Sequence, residues 1–405
     1  MSMQGRRSLN FPFEDYHRFG ERVFHACGQG FHVISKPGVF AWERLDVGTR
    51  LLIEALEVNA TDTVLDLGCG CGIVGLAAAG MASRGRVYLI DSNVAAVEAS
   101  RRTLALNGVT NAEVRLSDCA SAVRDVAFDV IATHLPRGKA IAQQFIADAA
   151  AVLKPGGRLY LTGHKRAGIK PFIAYAQEVF GNGEVIALKK SYRVAVCVKD
   201  NRTTLPETDY YRWLEFQTKI NGQVYRFVSK PGVFSWDRLD AGTRVLIEAM
   251  KIRPGDTALD LGCGCGIVGL IAAQKAQQGQ VHLVDSSVVA VEAARCTLAL
   301  NNVDNAQVHL SDGAAAVRDV RFDVVVTNPP FHQGRQTDYE VAHQFIHDAA
   351  SVLHRRGRLY VVANRFIRYE HVMSELFHEV GVVYEDNLYR VLLAVRPRKP
   401  VKRHP

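Results

Sequence analysis

No stretch of the 405 residues is apolar over the roughly 18 positions that a membrane helix needs, and runs such as Ile73 to Ala79 stop far short. The start, Met-Ser-Met-Gln-Gly-Arg-Arg followed by Asn10-Phe-Pro-Phe-Glu, lacks the apolar core of an export signal. A cytoplasmic protein with no membrane contact is expected. Low-complexity tracts are missing too, and 48% hydrophobic residues with only 13 prolines exclude disorder, collagen and fibre. Cysteine is scarce where chemistry would need it. The eight present include the pairs Cys69/Cys71 and Cys263/Cys265, which lack zinc-knuckle spacing and alternate with glycines, so reduced thiols and no metal are expected. Charge of one sign is not dominant either. Lys plus Arg exceed Asp plus Glu by 49 to 41, a surplus of +8 that favours an anionic partner without naming it. The last ten residues hold Arg396, Arg398, Lys399, Lys402 and Arg403, with no acid after Asp386, which suits a phosphate-gripping arm or a solvated terminus.

What the chain does contain, it contains twice. Ser35-Lys-Pro-Gly-Val-Phe40 recurs as Ser229-Lys-Pro-Gly-Val-Phe234, and the segment from Leu65 to Leu76 recurs unchanged from Leu259 to Leu270. The offset of 194 also links Tyr16 to Tyr210, Asp91 to Asp285, Asp118 to Asp312 and Thr133 to Thr327. A period this long means duplicated domains rather than a solenoid. In the second copy, β-branched runs (Thr257 to Leu261, Val281 to Asp285, Gln307 to Leu310, Phe322 to Thr327, Arg358 to Ala363, Tyr389 to Val395) alternate with helical patterns (Thr243 to Met250, Val288 to Asn301, Tyr339 to Leu353). Such alternation predicts two tandem Rossmann-like α/β domains, each a doubly wound, mostly parallel sheet. The expected boundaries are 1–198 for the first domain, 199–207 for a polar linker, 208–395 for the second domain and 396–405 for the basic tail.

Each first strand runs into Asp-x-Gly-x-Gly-x-Gly, residues 66–72 and 260–266. Glycines permit positive φ and let a ligand approach the main chain at the start of the next helix. Alone the string is weak, because the dinucleotide fingerprint differs from it by one residue of spacing. Context strengthens it. Asp285 ends the next strand and Asp312 closes the one after, as Asp91 and Asp118 do in the first copy, and three acids in order outweigh the ordinary reading of a strand-end Asp as a helix cap. They suit a ligand bearing ammonium and sulfonium charges. This pattern resembles class I S-adenosylmethionine-dependent methyltransferases. By that resemblance Asp260, Gly262, Cys263, Gly264 and Gly266 hold the methionine moiety, Asp285 the ribose and Asp312 the adenine, with Ser286, Gly313 and Asn328 as further cofactor-binding residues. Asp66, Gly68, Gly70, Gly72, Asp91 and Asp118 mark a possible second cofactor site.

The fourth strand of the second copy ends in Asn328-Pro329-Pro330-Phe331. A planar exocyclic amine is a poor nucleophile, and two acceptors, the Asn328 amide oxygen and the Pro329 carbonyl, can take its hydrogens while the prolines fix the backbone. Phe331 can stack on the base, so alignment carries much of the rate. The plain alternative is a loop breaker after a strand. Copy one has Thr133-His134-Leu135-Pro136-Arg137 there, with amide and ring both gone, and lacks six residues found around Gly334 to Tyr339, a plausible substrate lid.

Together with Gly232-Val-Phe-Ser, Leu239-Asp-Ala-Gly-Thr243, Val362-Ala-Asn364 and Tyr389-Arg390, this motif resembles the ribosomal RNA guanine-N2 methyltransferases of the RsmC/RlmG type, which join two methyltransferase-like domains and catalyse in the second. The resemblance implies a monomeric, metal-free enzyme with S-adenosylmethionine as cofactor and ribosomal RNA or a ribosomal subunit as partner. It implies methylation of a guanine N2, in small-subunit 16S RNA ahead of 23S RNA, with a non-catalytic, RNA-binding first domain. That first domain departs from the family by keeping its glycine loop. Methylation of a protein glutamine or a DNA adenine, or a non-catalytic RNA-binding assembly role, are the alternatives.

Overall fold

The computed structural model describes residues 16–330 and 336–398. Phe331, the first two residues of the expected lid (Gly334 and Arg335), and the tail from residue 399 lie outside the described residues, while the rest of that segment, 336–339, is helical. The first half runs β1 (Gly20–Ala26), β2 (Gln29–Ser35), α1 (Val47–Ala55), β3 (Thr63–Leu67), α2 (Ile73–Met81), β4 (Arg86–Asp91), α3 (Val94–Leu106), β5 (Ala112–Leu116), β6 (Phe128–His134), α4 (Lys139–Val152), β7 (Leu153–His164), α5 (Ile169–Phe180), β8 (Glu184–Lys189) and β9 (Tyr192–Val198). The second repeats this order with β10 (Leu214–Ile220), β11 (Gln223–Ser229), α6 (Ala241–Ala249), β12 (Ala258–Leu261), α7 (Ile267–Lys275), β13 (Val281–Asp285), α8 (Val288–Leu300), β14 (Ala306–Leu310), β15 (Phe322–Thr327), α9 (Gln336–Val352), β16 (Leu353–Asn364), α10 (Glu370–Leu376), β17 (Phe377–Glu385) and β18 (Tyr389–Pro397).

Each half folds into a seven-stranded sheet, ordered β5-β4-β3-β6-β7-β9-β8 and β14-β13-β12-β15-β16-β18-β17. Five neighbouring strands pair in parallel, and the last two pairings, on either side of β9 and of β18, are antiparallel. The central strand β12 is buried at every position, as expected of a parallel strand covered on both faces. The order reverses between β12 and β15, so ligands belong at the carboxyl ends of these strands. Sequence periodicity misses α7 because its apolar residues face the sheet and the neighbouring helices alike, which erases any polar stripe. It also misses the hairpins β1–β2 and β10–β11, which lie outside the main sheets. Each hairpin is pinned to a helix of its own half: Thr103 Oγ1 accepts from the Ile34 N–H at 2.9 Å, and Thr297 Oγ1 from the Val228 N–H at 3.0 Å.

The halves meet about a pseudo-twofold. Val94 N–H donates to the Ser286 carbonyl, and Val288 N–H to that of Ser92, both at 2.9 Å. Lys36 of the first half pairs with Asp312 of the second, and Lys230 of the second with Asp118 of the first.

Candidate active site

The carboxyl ends of β12, β13 and β15 and the turn after β14 open on one cavity of about 590 Å³, a size suited to a small ligand. Gly262, Gly264 and Gly266 take φ of 79°, 53° and 80°, and a Cβ on Gly262 would come within 2.8 Å of the Phe345 ring. Glycine is required there by conformation and by space. The N–H groups of Gly262 and Cys263 both donate to the Val284 carbonyl at 2.9 Å, fastening the loop to β13. Asp260 accepts from Gly269 N–H at 2.8 Å. Burial pushes its carboxyl up to about 7, opposed by that bond and assisted by the neighbouring Asp285 charge.

Asp285 accepts from Gly264 N–H at 3.0 Å and from Ser287 N–H at 2.9 Å. Its orientation is thereby fixed with lone pairs to spare. Burial raises its pKa too, against the bonds from Ser287, Gly264 and Ser286. Two carboxylates beside the loop repel phosphate and favour a ligand with positive charge and hydroxyls. Ser286, Asp312 and Gly313 line the same cavity.

Asp312 is shared across the domain boundary. One of its oxygens is held by Lys36, fully buried, and lies 3.6 Å from His17 Nδ1; among the described residues the other oxygen makes no hydrogen bond. Burial would raise this carboxyl, but His17 and Lys36 outweigh it and hold it below the ordinary range. His17 Nε2 meets Asp348 at 2.9 Å. Burial lowers the imidazole pKa, yet the two carboxylates bring it up to about 9, so the ring is a cation at neutral pH. Nothing in the sequence pairs residues 17 and 36 with 312, because no local pattern spans that separation.

Asn328 is held by two acceptors. Its Nδ2 donates to Asp240 at 3.2 Å and to Thr243 Oγ1 at 2.9 Å. A carboxylate only accepts, so the amide must turn its NH₂ towards Asp240, which leaves Oδ1 for the cavity. The same Asp240 oxygen caps α6 through the Thr243 N–H at 2.8 Å. Pro329 and Pro330 also line the cavity, as do Asn364 and Tyr389. The sequence motif around Leu239 to Thr243 contained this cradle, and its signal was the matching Asp46 and Thr49 one offset earlier.

The first half keeps the cradle around a different side chain. His134 Nδ1 lies 3.2 Å from Thr49 Oγ1 and 3.5 Å from Asp46, and the Phe40 ring stands edge-on with its centroid 4.9 Å away. The loop itself is unchanged. Gly68, Gly70 and Gly72 take φ of 80°, 56° and 79°, Asp66 accepts from Gly75 at 2.8 Å, and Asp91 from Gly70 at 3.0 Å. Asp118 is held by Lys230 and by the Tyr210 hydroxyl at 3.1 Å. All eight cysteines are free thiols, no group of metal-ligand type was found among the described residues, and no described helix is long and apolar enough to cross a membrane.

The family model of the methyltransferase small domain matches residues 30–196 and again 224–393. The ribosomal RNA small subunit methyltransferase C of Pseudoalteromonas atlantica is 33% identical over 268 residues, covering 66% of this chain and 77% of that protein. The protein of the same name from Yersinia pestis is 30% identical over 295 residues, 73% of this chain and 82% of its own length. Among solved structures, the T. thermophilus 16S rRNA N2 G1207 methyltransferase, in complex with AdoMet and guanosine, superposes with a TM-score of 0.80 at 30% identity, over 95% of this chain and all of that one.

Proposed function

The chain belongs to the methyltransferase small-domain family, and from that premise we propose that it methylates the exocyclic N2 amine of a guanine in small-subunit ribosomal RNA. The observation that carries the reading is Asn328, which lines the same cavity as Asp260 and Asp285 and whose Nδ2 is engaged by Asp240 and Thr243, leaving Oδ1 as the acceptor it can offer a substrate. The cofactor is S-adenosylmethionine. The residues fit it: a glycine loop in left-handed conformation for close backbone approach, Asp260 for the ammonium, Asp285 with Ser286 for the ribose hydroxyls, and Asp312 with Gly313 at the adenine end. When bound, it supplies an electrophilic methyl group on a sulfonium.

The chain's own residues do the rest by alignment. Asn328 Oδ1 and the Pro329 carbonyl accept the two amine hydrogens and draw the nitrogen lone pair out of conjugation with the base. Pro329 and Pro330 withhold competing donors and stiffen the turn. Phe331 belongs to the same motif as a stacking ring. The first half is non-catalytic, because His134 stands in the cradle where the second half keeps its amide. Its surface, with the basic tail, grips RNA through phosphates, so binding should weaken by about 10³-fold or more between 50 and 200 mM salt if six or so phosphates are engaged.

Incubation with labelled cofactor and small-subunit RNA lacking the modification, followed by mapping of the labelled nucleotide, tests the reading. Label at a guanine N2 supports it. RNA left unlabelled, or labelled only at other atoms, overturns it. A second expectation concerns pH. Asp260 must shed a proton to meet a cationic ligand, and burial has pushed that carboxyl up to about 7. Cofactor affinity should therefore rise with pH between 5.5 and 7, approaching about tenfold per unit at the acid end. Calorimetry across that range would show the slope, and Asp260→Asn should flatten it.

A further inference from the structure

Phe234 is 65% exposed, yet it lines the same cavity as Asn328 and Pro330. A ring left in water forgoes the stabilisation that burial would give it. The loop beneath it is nonetheless firmly built. Gly232 takes φ of 104° and Ser235 a left-handed 50°, as Gly38 (91°) and Ala41 (55°) do in the first half. Val233 N–H bonds the Lys230 carbonyl at 3.2 Å, Ser235 Oγ donates to the Arg238 carbonyl at 3.0 Å, and Arg238 N–H donates to the Ser235 carbonyl at 3.3 Å. Lys230 is itself anchored on Asp118, with its Nζ 4.8 Å from the Trp213 ring and 4.9 Å from that of Tyr210. An exposed ring on a rigid, strained mount is a presented ring.

The duplication indicates what it is presented to. In the first half the equivalent ring, Phe40, lies with its centroid 4.9 Å from the His134 imidazole, the side chain that stands in the place of Asn328. A flat aromatic group already occupies the space beside the Phe ring there. In the second half a small amide replaces the imidazole, and Phe234 borders cavity. We propose that Phe234 is a substrate-positioning residue that packs against the target guanine and holds it out of the RNA stack while Asn328 receives its amine. This rests on the guanine reading above.

The test uses the full chain and small-subunit RNA lacking the modification. Phe234→Ala and Phe234→Leu should each raise the KM for RNA by roughly 10-fold to 100-fold, the usual range for losing one base-aromatic stack. Cofactor affinity by calorimetry should stay within about twofold, since this scheme assigns the ring to the base and not to the cofactor. Phe234→Tyr and Phe234→Trp should restore the wild-type KM, because they keep a flat face, and Phe40→Ala should leave turnover unchanged. Leucine serving as well as phenylalanine would overturn the proposal, as would a parallel loss of cofactor affinity and of thermal stability across the series. A wild-type chain that binds cofactor but methylates no guanine would instead sink the guanine reading itself.

Discussion

Asn328→Ala should lower methyl transfer by about 10²-fold to 10³-fold, the scale on which one preoriented polar contact to a reacting group contributes. Cofactor affinity should change little, because the loop and the acids at Asp260 and Asp285 take their orientation from backbone N–H groups and not from the amide. Asn328→Asp should fare nearly as badly. It keeps an acceptor but sets a carboxylate where Nδ2 now lies 3.2 Å from Asp240, and two like charges at that range cannot both ionise without one turning away. Asp240→Asn separates orientation from folding. Asparagine caps a helix about as well as aspartate, so α6 should persist, while the Asn328 amide loses the group that fixes which end faces the cavity. A fall of about tenfold in rate with an unchanged unfolding transition is expected, on the scale of one net hydrogen bond to a charged group. His134→Ala should leave the rate where it was. Single-turnover measurements with saturating cofactor decide these cases, and full activity in Asn328→Ala would remove the mechanism.

The parts of this molecule legible in its sequence are those written in short range. The Asp-x-Gly-x-Gly-x-Gly strings announced a loop in left-handed conformation, and the φ values of all six loop glycines are positive. The 194-residue offset announced two α/β units, and two seven-stranded sheets follow. Helix α7 was not legible, because a helix buried on nearly every side has no amphipathic stripe to read. The edge strand β17 was missed for the opposite reason: much of it is exposed, including Val382 and Val383, so no alternation of buried and exposed positions marks it. The cradle under Asn328 was present in the sequence as a repeated Asp and Thr, but its purpose appears only when Asp240 and Asn328, far apart in the chain, come within 3.2 Å.

Least legible of all was the exchange between the halves. Duplication of a domain within one chain gives each copy a neighbour of nearly its own shape, and a contact made once across a pseudo-twofold is made twice. Lys36 to Asp312 and Lys230 to Asp118 are such a pair. The symmetry breaks one residue past the leading tyrosine. Tyr211 bonds Asp148 in the first half's site, whereas the corresponding His17 lies between Asp348 and Asp312 in the second. The copy that keeps Asn328 is therefore the copy whose third acid faces two cations.

That arrangement predicts the second large effect. Lys36→Met keeps the apolar stem and removes the charge, leaving Asp312 with His17 alone, and breaking a buried pair from one side costs about 3 kcal/mol or more. Urea unfolding should show the loss. Adding Asp312→Asn to Lys36→Met should recover a good part of it, because the cost lies in the orphaned carboxylate; strictly additive losses would mean that the two groups do not act as a pair. The pH dependence has a definite sign. The folded pKa of His17, about 9, lies above its unfolded value of about 6.5, so its contribution is complete below 6.5 and is lost as pH rises towards 9. Stability should therefore decline across that window in the wild-type chain, more sharply in Lys36→Met if His17 then carries Asp312 alone, and not through this group in His17→Gln. Cofactor affinity should fall alongside in Lys36→Met, since the same carboxylate borders the adenine end of the cavity.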